Sequence, residues 1–115
     1  MTLREKQSLF AQLAARLIQQ AEKFGYDVTL GEAWRSPESA RVMAEEGKGI
    51  VDSLHIDRLA IDLNLFKTGA YLTEISDYEI LGEWWENQST GDYTCAWGGR
   101  FNDMDHFSLA HEGKK

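Results

Sequence analysis

The sequence predicts an α+β fold in which helices pack on one side of a small, mostly antiparallel sheet. Residues 3–24 carry a helical apolar stripe, and residues 59–66 alternate apolar and polar side chains as a strand does. Two later segments begin with residues that cap helices. With 115 residues, the chain is long enough to bury one core and too short for two. We therefore expect a single domain over residues 1–115.

The first element is a helix predicted over about residues 3–24. Thr2 and Glu5 have the spacing of a capping box, in which each side chain accepts a hydrogen bond from the other residue's backbone. Gly25 follows at a place where a helix end favours a left-handed residue. The apolar stripe should face the core, because the opposite face is only mildly basic and does not resemble that of a membrane-binding helix. The stripe consists of Leu9, Phe10, Leu13, Leu17, Ile18, Ala21 and Phe24.

A strand and a second helix should follow. Residues 26–34 alternate loosely and predict a strand that ends near Arg35. Ser36 suits an N-cap, and Pro37 suits the first helical position because its missing N–H would have no partner there. A helix is therefore predicted over about residues 37–46.

Residues 59–66 give the clearest strand pattern in the chain. The apolar face comprises Leu59, Ile61, Leu63 and Leu65, and the other face comprises Ala60, Asp62 and Asn64. Asp62 therefore lies on the polar side of a strand whose other side is core. A turn at residues 67–70 and a short return strand at residues 71–72 are expected next.

The C-terminal part should hold a helix, a polar loop, a last strand and a charged tail. Ser76 and Glu79 have capping-box spacing, so a helix is predicted from there to about Asn87. Residues 88–94 are polar and predict a loop, and a strand is expected around residues 106–109. The helix residues expected to face inward are Ile80, Leu81, Trp84 and Trp85.

Composition excludes several classes of function and of site. A formal charge of −7 disfavours binding to nucleic acid, whose phosphates would repel the protein. No segment approaches the run of about 20 apolar residues that a membrane helix needs. The first residues lack the apolar core of a signal peptide, so none is expected. Cys95 is the one cysteine, which excludes an intramolecular disulfide and a cysteine-rich zinc site.

Two stretches hold side chains suited to hydrolytic chemistry. The first, residues 53–62, contains His55 and Asp62, and the second, residues 97–107, contains His106. Zinc in hydrolases is commonly held by three protein ligands and one water. The three residues are therefore candidate ligands, although spacing alone favours a metal site and a pair of structural histidines about equally.

The second stretch also holds the candidates for a catalytic base, Asp103 and Asp105. A nearby carboxylate must take the proton of the attacking water and pass it to the leaving amine. Asp105 is adjacent to His106 and on a strand would point to the opposite face. Asp103 is therefore the preferred base.

Both stretches match motifs of a known family. The pattern S-x-H-x-x-x-x-A-x-D over residues 53–62 resembles the S-x-H-x-x-G-x-A-x-D signature of the zinc D-alanyl-D-alanine carboxypeptidase family. That family includes the vancomycin-resistance D-Ala-D-Ala dipeptidases and the phage L-alanyl-D-glutamate endopeptidases. The W-G-G…D-x-x-H-F form over residues 97–107 is similar to the phage endolysin branch. The two motifs stand in the family's order, and the resemblance covers about residues 32–108.

The resemblance implies roles for individual residues. His55, Asp62 and His106 match the three ligands of the family's zinc, so Zn²⁺ is the expected cofactor. Asp103 matches the catalytic acid and base. Arg35 matches the arginine that stabilises the oxyanion of the tetrahedral intermediate, a role that suits a cation held at a strand end.

Three further residues are expected to contribute to substrate binding. Ser53 matches the motif serine, which binds substrate or orients the site. Arg58 stands where the family has glycine, which would permit a positive φ, so Arg58 either needs a different loop or reaches toward substrate. Trp97 is expected to line the cleft.

The function implied by the resemblance is hydrolysis of peptide bonds in peptidoglycan stem peptides by a monomeric zinc metallopeptidase of the L-alanyl-D-glutamate endopeptidase type. Its zinc cleft should lie on the face of the sheet away from the helices. A phage enzyme of this kind would be made in the host cytoplasm and would reach the cell wall through a separate holin. The alternatives are a D-Ala-D-Ala carboxypeptidase or dipeptidase, and a non-catalytic zinc-binding virion or structural domain.

Overall fold

A computed structural model describes residues 1–48 and 53–115 and has the predicted α+β architecture. In chain order its elements are α1 (Leu3–Lys23), β1 (Asp27–Leu30), α2 (Pro37–Glu45), β2 (Ala60–Lys67), β3 (Ala70–Tyr71), α3 (Ile75–Glu86), β4 (Cys95–Trp97), a 3₁₀ helix (Gly98–Phe101) and β5 (His106–Leu109). Within the described ranges no helix is long and apolar enough to cross a bilayer.

The strands form one sheet in the order β1-β2-β5-β4, with β3 paired to β2 beside this path. Every described strand pair is antiparallel. The core lies between the sheet and the helices α1 and α3. Alternate residues of β2 contribute to it, because alternate residues of a strand point to the same face. Buried members of this core include Leu13 and Leu17 of α1, Leu63 and Leu65 of β2, Leu81 and Trp85 of α3, and Phe107 of β5.

Trp85 ties α3 to the sheet. Its side chain is fully buried, and its indole N–H lies 3.0 Å from the carbonyl of Ala96 and 3.1 Å from that of Ser108. A buried indole needs such an acceptor, so this contact orients α3 over β4 and β5. Helices α1 and α3 therefore occupy one face of the sheet, which leaves the face that carries Asp62 for a site, and Met43 of α2 lies on that second side.

The helix ends show where the local sequence rules succeed and where they fail. The Thr2–Glu5 capping box opens α1, and Gly25 follows the helix with φ +93°, both as predicted. In α3 the predicted Ser76 start is wrong. The N–H of Glu74 instead bonds the Asp77 carboxylate at 3.2 Å, so the helix begins at Ile75.

Three other details differ from the sequence predictions. Ile80 is half exposed instead of buried, because the inward face of α3 is formed by Tyr78, Leu81, Gly82 and Trp85. Strand β4, three buried residues long, was not predicted, because so short a segment shows no periodicity. The first strand ends at Leu30, shorter than predicted.

Candidate metal centre

Two of the candidate ligands are brought together by strand register. Asp62 of β2 and His106 of β5 are direct partners in the antiparallel ladder. The N–H of Leu63 bonds the carbonyl of Asp105 at 2.9 Å, which makes Asp62 and His106 a pair that exchanges no backbone hydrogen bonds. Side chains are closest in such pairs, with Cα atoms about 4.5 Å apart. Both side chains lie on the sheet face away from α1 and α3.

The third candidate, His55, lies in a turn and is held by individual bonds. Its backbone N–H bonds the hydroxyl of Ser53 at 3.1 Å, and its Nδ1 lies 3.3 Å from the carbonyl of Ala33. Because a carbonyl only accepts, Nδ1 carries the proton and Nε2 keeps a free lone pair. That Nε2 lies 3.3 Å from Asp62 Oδ1, so the tautomer presents the correct atom to the site.

The three side chains converge on a point with the character of a metal site. Their candidate ligand atoms all lie within 4.8 Å of one another, and His106 Nδ1 is 3.7 Å from Asp62 Oδ1. Ligand atoms around a tetrahedral zinc are about 3.4 Å apart, which is close to the separations of 3.3 Å and 3.7 Å from Asp62 Oδ1 to the two imidazoles. Among the described residues, Asp62 Oδ1 is buried without a properly oriented hydrogen-bond partner. An orphaned carboxylate oxygen facing two imidazoles fits a bound cation, so this group could hold a metal ion.

The charge state of Asp62 agrees with that use, whereas the pKa of His55 without a metal shifts toward the charged form, from which a metal must displace the proton. Burial disfavours the charged form of Asp62, but close contact with His106 and His55 and their charge outweigh it, and the pKa of Asp62 falls to about 2. Burial also favours the neutral form of His55, but its contact with Asp62 outweighs burial and raises its pKa. Asp62 is therefore a carboxylate at neutral pH, as a metal ligand must be.

Two further carboxylates lie beside the group. Asp103 is 53% exposed, and its Oδ2 lies 3.8 Å from His106 Nδ1. Asp105 lines the same cavity, and burial, with the charges of Asp62 and Asp103, raises the pKa of Asp105 to about 6. The prediction that Asp105 points to the opposite face is wrong, because β5 begins only at His106 and Asp105 lies in the turn before it.

Arg35 is buried and held by a carboxylate that sequence reasoning missed. The Arg35 Nε donates to Glu32 Oε1 at 2.8 Å, and Nη2 contacts the same oxygen. Glu32 Oε1 is also 3.7 Å from His55 Nδ1, so Glu32 lies between the arginine and a candidate ligand. The sequence signal that would have found it is an acidic residue three positions before Arg35.

These residues share one cavity of about 600 Å³. Its wall includes His55, Asp62, His106, both aspartates, Arg35, Glu32 and Ser53, together with Phe101 and the lysines Lys48, Lys114 and Lys115. The volume lies in the range of small-molecule and peptide pockets. The sequence-predicted metal, base, arginine and serine positions are thus brought together.

The other two predicted substrate-binding residues are not among the described residues that line the cavity. Trp97 is 1% exposed, and its indole N–H bonds the Met104 carbonyl at 2.8 Å, which places it in the core. Arg58 is exposed, and its guanidinium lies 4.7 Å from the Trp34 ring centroid. Arg58 does not require a different loop, because it adopts the left-handed conformation itself, with φ +57°.

No protein-family model matches the sequence, and no curated relative is detected. Among solved structures, the chain is similar to the crystal structure of the Serratia marcescens L-Ala D-Glu endopeptidase ChiX, with a TM-score of 0.67 and 22% sequence identity. The similarity covers 87% of this chain and 79% of that chain. At this level of identity, the comparison establishes a common fold.

Proposed function

We propose that the protein is a zinc metallopeptidase that hydrolyses peptide bonds in bacterial peptidoglycan stem peptides. We further propose the bond between L-alanine and D-glutamate as its target. The observation that carries the proposal is the buried group of His55, Asp62 and His106, which lies in one cavity with Asp103 and Arg35. Support also comes from the fold shared with an enzyme described as an L-Ala D-Glu endopeptidase.

We assign Zn²⁺ to the His55, Asp62 and His106 side chains. Two imidazoles and one carboxylate form a donor set that suits zinc and its transition-metal neighbours better than the oxygen-seeking Mg²⁺ or Ca²⁺. When bound, zinc polarises a peptide carbonyl and lowers the pKa of a water molecule. The remaining requirements, proton transfer and stabilisation of the oxyanion, fall to the chain's own side chains.

Asp103 is the proposed general base and acid. Its carboxylate lies beside His106 and is half exposed, so it can take a proton from the attacking water and return it to the leaving amine. Asp105 lines the same cavity and is the competing candidate. Substituting each aspartate by asparagine separates the two, because the amide keeps the shape and loses the proton-accepting oxygen.

Arg35 is the proposed stabiliser of the oxyanion. Glu32 engages its Nε and Nη2, which fixes the guanidinium plane before substrate arrives and leaves further N–H groups to donate. A fixed cation aimed at developing negative charge lowers the barrier without reorganisation. Glu32 thereby acts as the positioning residue for Arg35.

In this proposal the enzyme is a monomeric phage endolysin that acts on the cell wall after holin-dependent release. The test is mass spectrometry of purified peptidoglycan digested with the zinc-loaded protein. New N-terminal D-glutamate is the expected product. Released D-alanine would instead identify a carboxypeptidase or dipeptidase. Stoichiometric zinc without any cleavage or fall in turbidity would identify a non-catalytic domain.

A further inference from the structure

The last residues of the chain form an ordered hairpin beside the cavity. His111 and Lys114 exchange two backbone hydrogen bonds, each 2.9 Å long. Glu112 and Gly113 between them have φ values of +48° and +80°, the left-handed pair that a tight two-residue hairpin turn requires. Residues 110–115, called the C-terminal hairpin below, therefore place Lys114 at a defined point on the cavity wall.

The C-terminal hairpin is attached to the first helix. Lys6 of α1 donates to the Ala110 carbonyl at 2.7 Å, and its Nζ lies 3.3 Å from His111 Nδ1. These contacts join residues more than 100 positions apart in sequence. The hairpin is thus anchored on an element that is itself part of the core.

Lys114 connects the hairpin to the turn that carries His55. Its Nζ lies 2.9 Å from Asp57 Oδ2, and the two side chains are only 21% and 23% exposed. Asp57 follows His55 by two residues, and its carbonyl also accepts a hydrogen bond from Gln7 of α1 at 2.8 Å. A largely buried ion pair is less screened than a surface pair, and removing one partner leaves the other charge uncompensated.

We propose that Lys114 is a positioning residue for the metal centre. Its bond to Asp57 holds the turn so that His55 Nε2 stays beside Asp62. The described residues of the turn lie outside the strands and are held by backbone hydrogen bonds, including one from the Arg35 N–H to the His55 carbonyl at 3.2 Å. Side-chain contacts such as the one between Lys114 and Asp57 add to these bonds in positioning His55. The inference rests on the metal centre proposed above and concerns affinity for the metal instead of the choice of substrate.

The charge of Lys114 and its contact with Asp57 are expected to change zinc affinity in opposite directions, so an experiment can separate them. A cation on the wall of a cation-binding cavity repels the metal, so deleting its charge alone should tighten binding. Loss of the contact that holds the His55 turn should weaken binding. The sign of the change in affinity therefore separates a positioning role from a purely electrostatic one.

The experiment measures zinc affinity of the full-length chain by competition with a chromogenic chelator. For Lys114→Met we expect affinity to fall about tenfold, the lower end of the effect of removing an outer-shell partner. The matched control is Lys115→Met, which deletes the same charge from the same wall. No bond from Lys115 to Asp57 is present in the part of the chain that the structure describes, so its affinity should stay equal or rise.

Two further variants show whether a fall in zinc affinity comes from loss of the contact or from misfolding. Lys114→Arg keeps a cation for Asp57 and should restore most of the affinity. Asp57→Ala should weaken zinc binding as Lys114→Met does, because it removes the same contact from the other side. Thermal unfolding of the metal-free proteins shows whether each variant is folded at the temperature of the titration.

The outcomes separate this inference from the proposal on which it rests. Wild-type affinity or tighter binding in Lys114→Met overturns the positioning role and leaves the metal centre intact. An equal loss in Lys115→Met also overturns it, since the loss of affinity would then not depend on the contact with Asp57. Failure of the wild-type protein to bind zinc overturns both proposals.

Discussion

The two histidines of the candidate metal centre are held in different ways. His106 lies on β5 opposite Asp62, so the backbone ladder that joins two strands sets its position. His55 lies in a turn outside the strand ladder. Its carbonyl accepts a hydrogen bond from the Arg35 N–H at 3.2 Å, and its ring Nδ1 lies 3.3 Å from the Ala33 carbonyl. A ladder between two strands defines the first half of the site, whereas the hydrogen bonds of one turn and a few side-chain contacts define the second half.

The two kinds of support predict which substitutions the site should tolerate. A substitution near His106 must disturb the β2–β5 pairing before it moves the ligand, unless it places atoms directly against the pair. A substitution near His55 acts on a single turn outside the strand ladder, so the loss of one side-chain contact should have a larger effect there. The predictions below test the sheet half, the shared chemistry and the turn half of this comparison.

The largest effect is expected where either half loses its ligand. His106→Ala and His55→Ala should each lose stoichiometric zinc and all detectable wall-lysing activity, because a site with two remaining ligands binds zinc weakly. Metal content by mass spectrometry and turbidity of cell-wall suspensions measure the two losses. Exhaustive chelation of the wild-type protein should abolish activity, and zinc should restore it. Full activity after chelation contradicts the metallopeptidase proposal.

Asp103→Asn should separate chemistry from metal binding. We expect zinc content to stay stoichiometric and kcat to fall about 10²- to 10⁴-fold, the usual contribution of a general acid or base. Asp105→Asn is the comparison, with a smaller loss expected. If Asp105→Asn has the larger effect, the base is Asp105 and the assignment of Asp103 is incorrect.

The sheet half of the site was largely predictable from sequence, for a physical reason. The alternation over residues 59–66 is long enough to place Asp62 on the polar face, and strand periodicity then carries that orientation through β2. His106 follows from the motif that resembles the endopeptidase branch. The fold class was predictable on the same grounds, because helical and strand periods are local properties.

The turn half could not be predicted to the same depth. The long-range contacts of the His55 turn include those from Ala33, 22 residues earlier, and from Lys114 through Asp57, and no local pattern encodes them. Glu32 was missed for a different reason, because its spacing of three residues from Arg35 is local but a single acidic residue does not identify its partner. The error at Asp105 arose from extending strand alternation one residue beyond the strand. Long-range side-chain bonds and element boundaries are the two things that periodicity does not determine.

Gly31→Ala tests the sheet half of the site by placing a methyl group against Asp62. The Gly31 N–H bonds the Asp62 carbonyl at 2.8 Å, and a Cβ at position 31 would lie 2.9 Å from the Cβ of Asp62. Relief would require the paired backbones to separate, so we expect unfolding free energy to fall by about 1–3 kcal/mol and zinc to bind more weakly. Gly91→Ala is the control, with open space around its Cβ. Equal stability and zinc affinity in the two variants would contradict the prediction.

The smallest effect is expected at Arg58. This residue tests how the turn half accommodates an arginine at the position where the resembled motif has glycine. Arg58 has φ +57° and stacks on Trp34. Arg58→Ala and Arg58→Gly both lose a cation–π contact worth about 0.5–1 kcal/mol, but only glycine relieves a left-handed strain of about 1 kcal/mol. In urea unfolding, Arg58→Gly should therefore be more stable than Arg58→Ala by about 1 kcal/mol, with zinc affinity unchanged. If the alanine variant were as stable as the glycine variant, the turn would not need a positive φ at this position, and His55 would be held in another way.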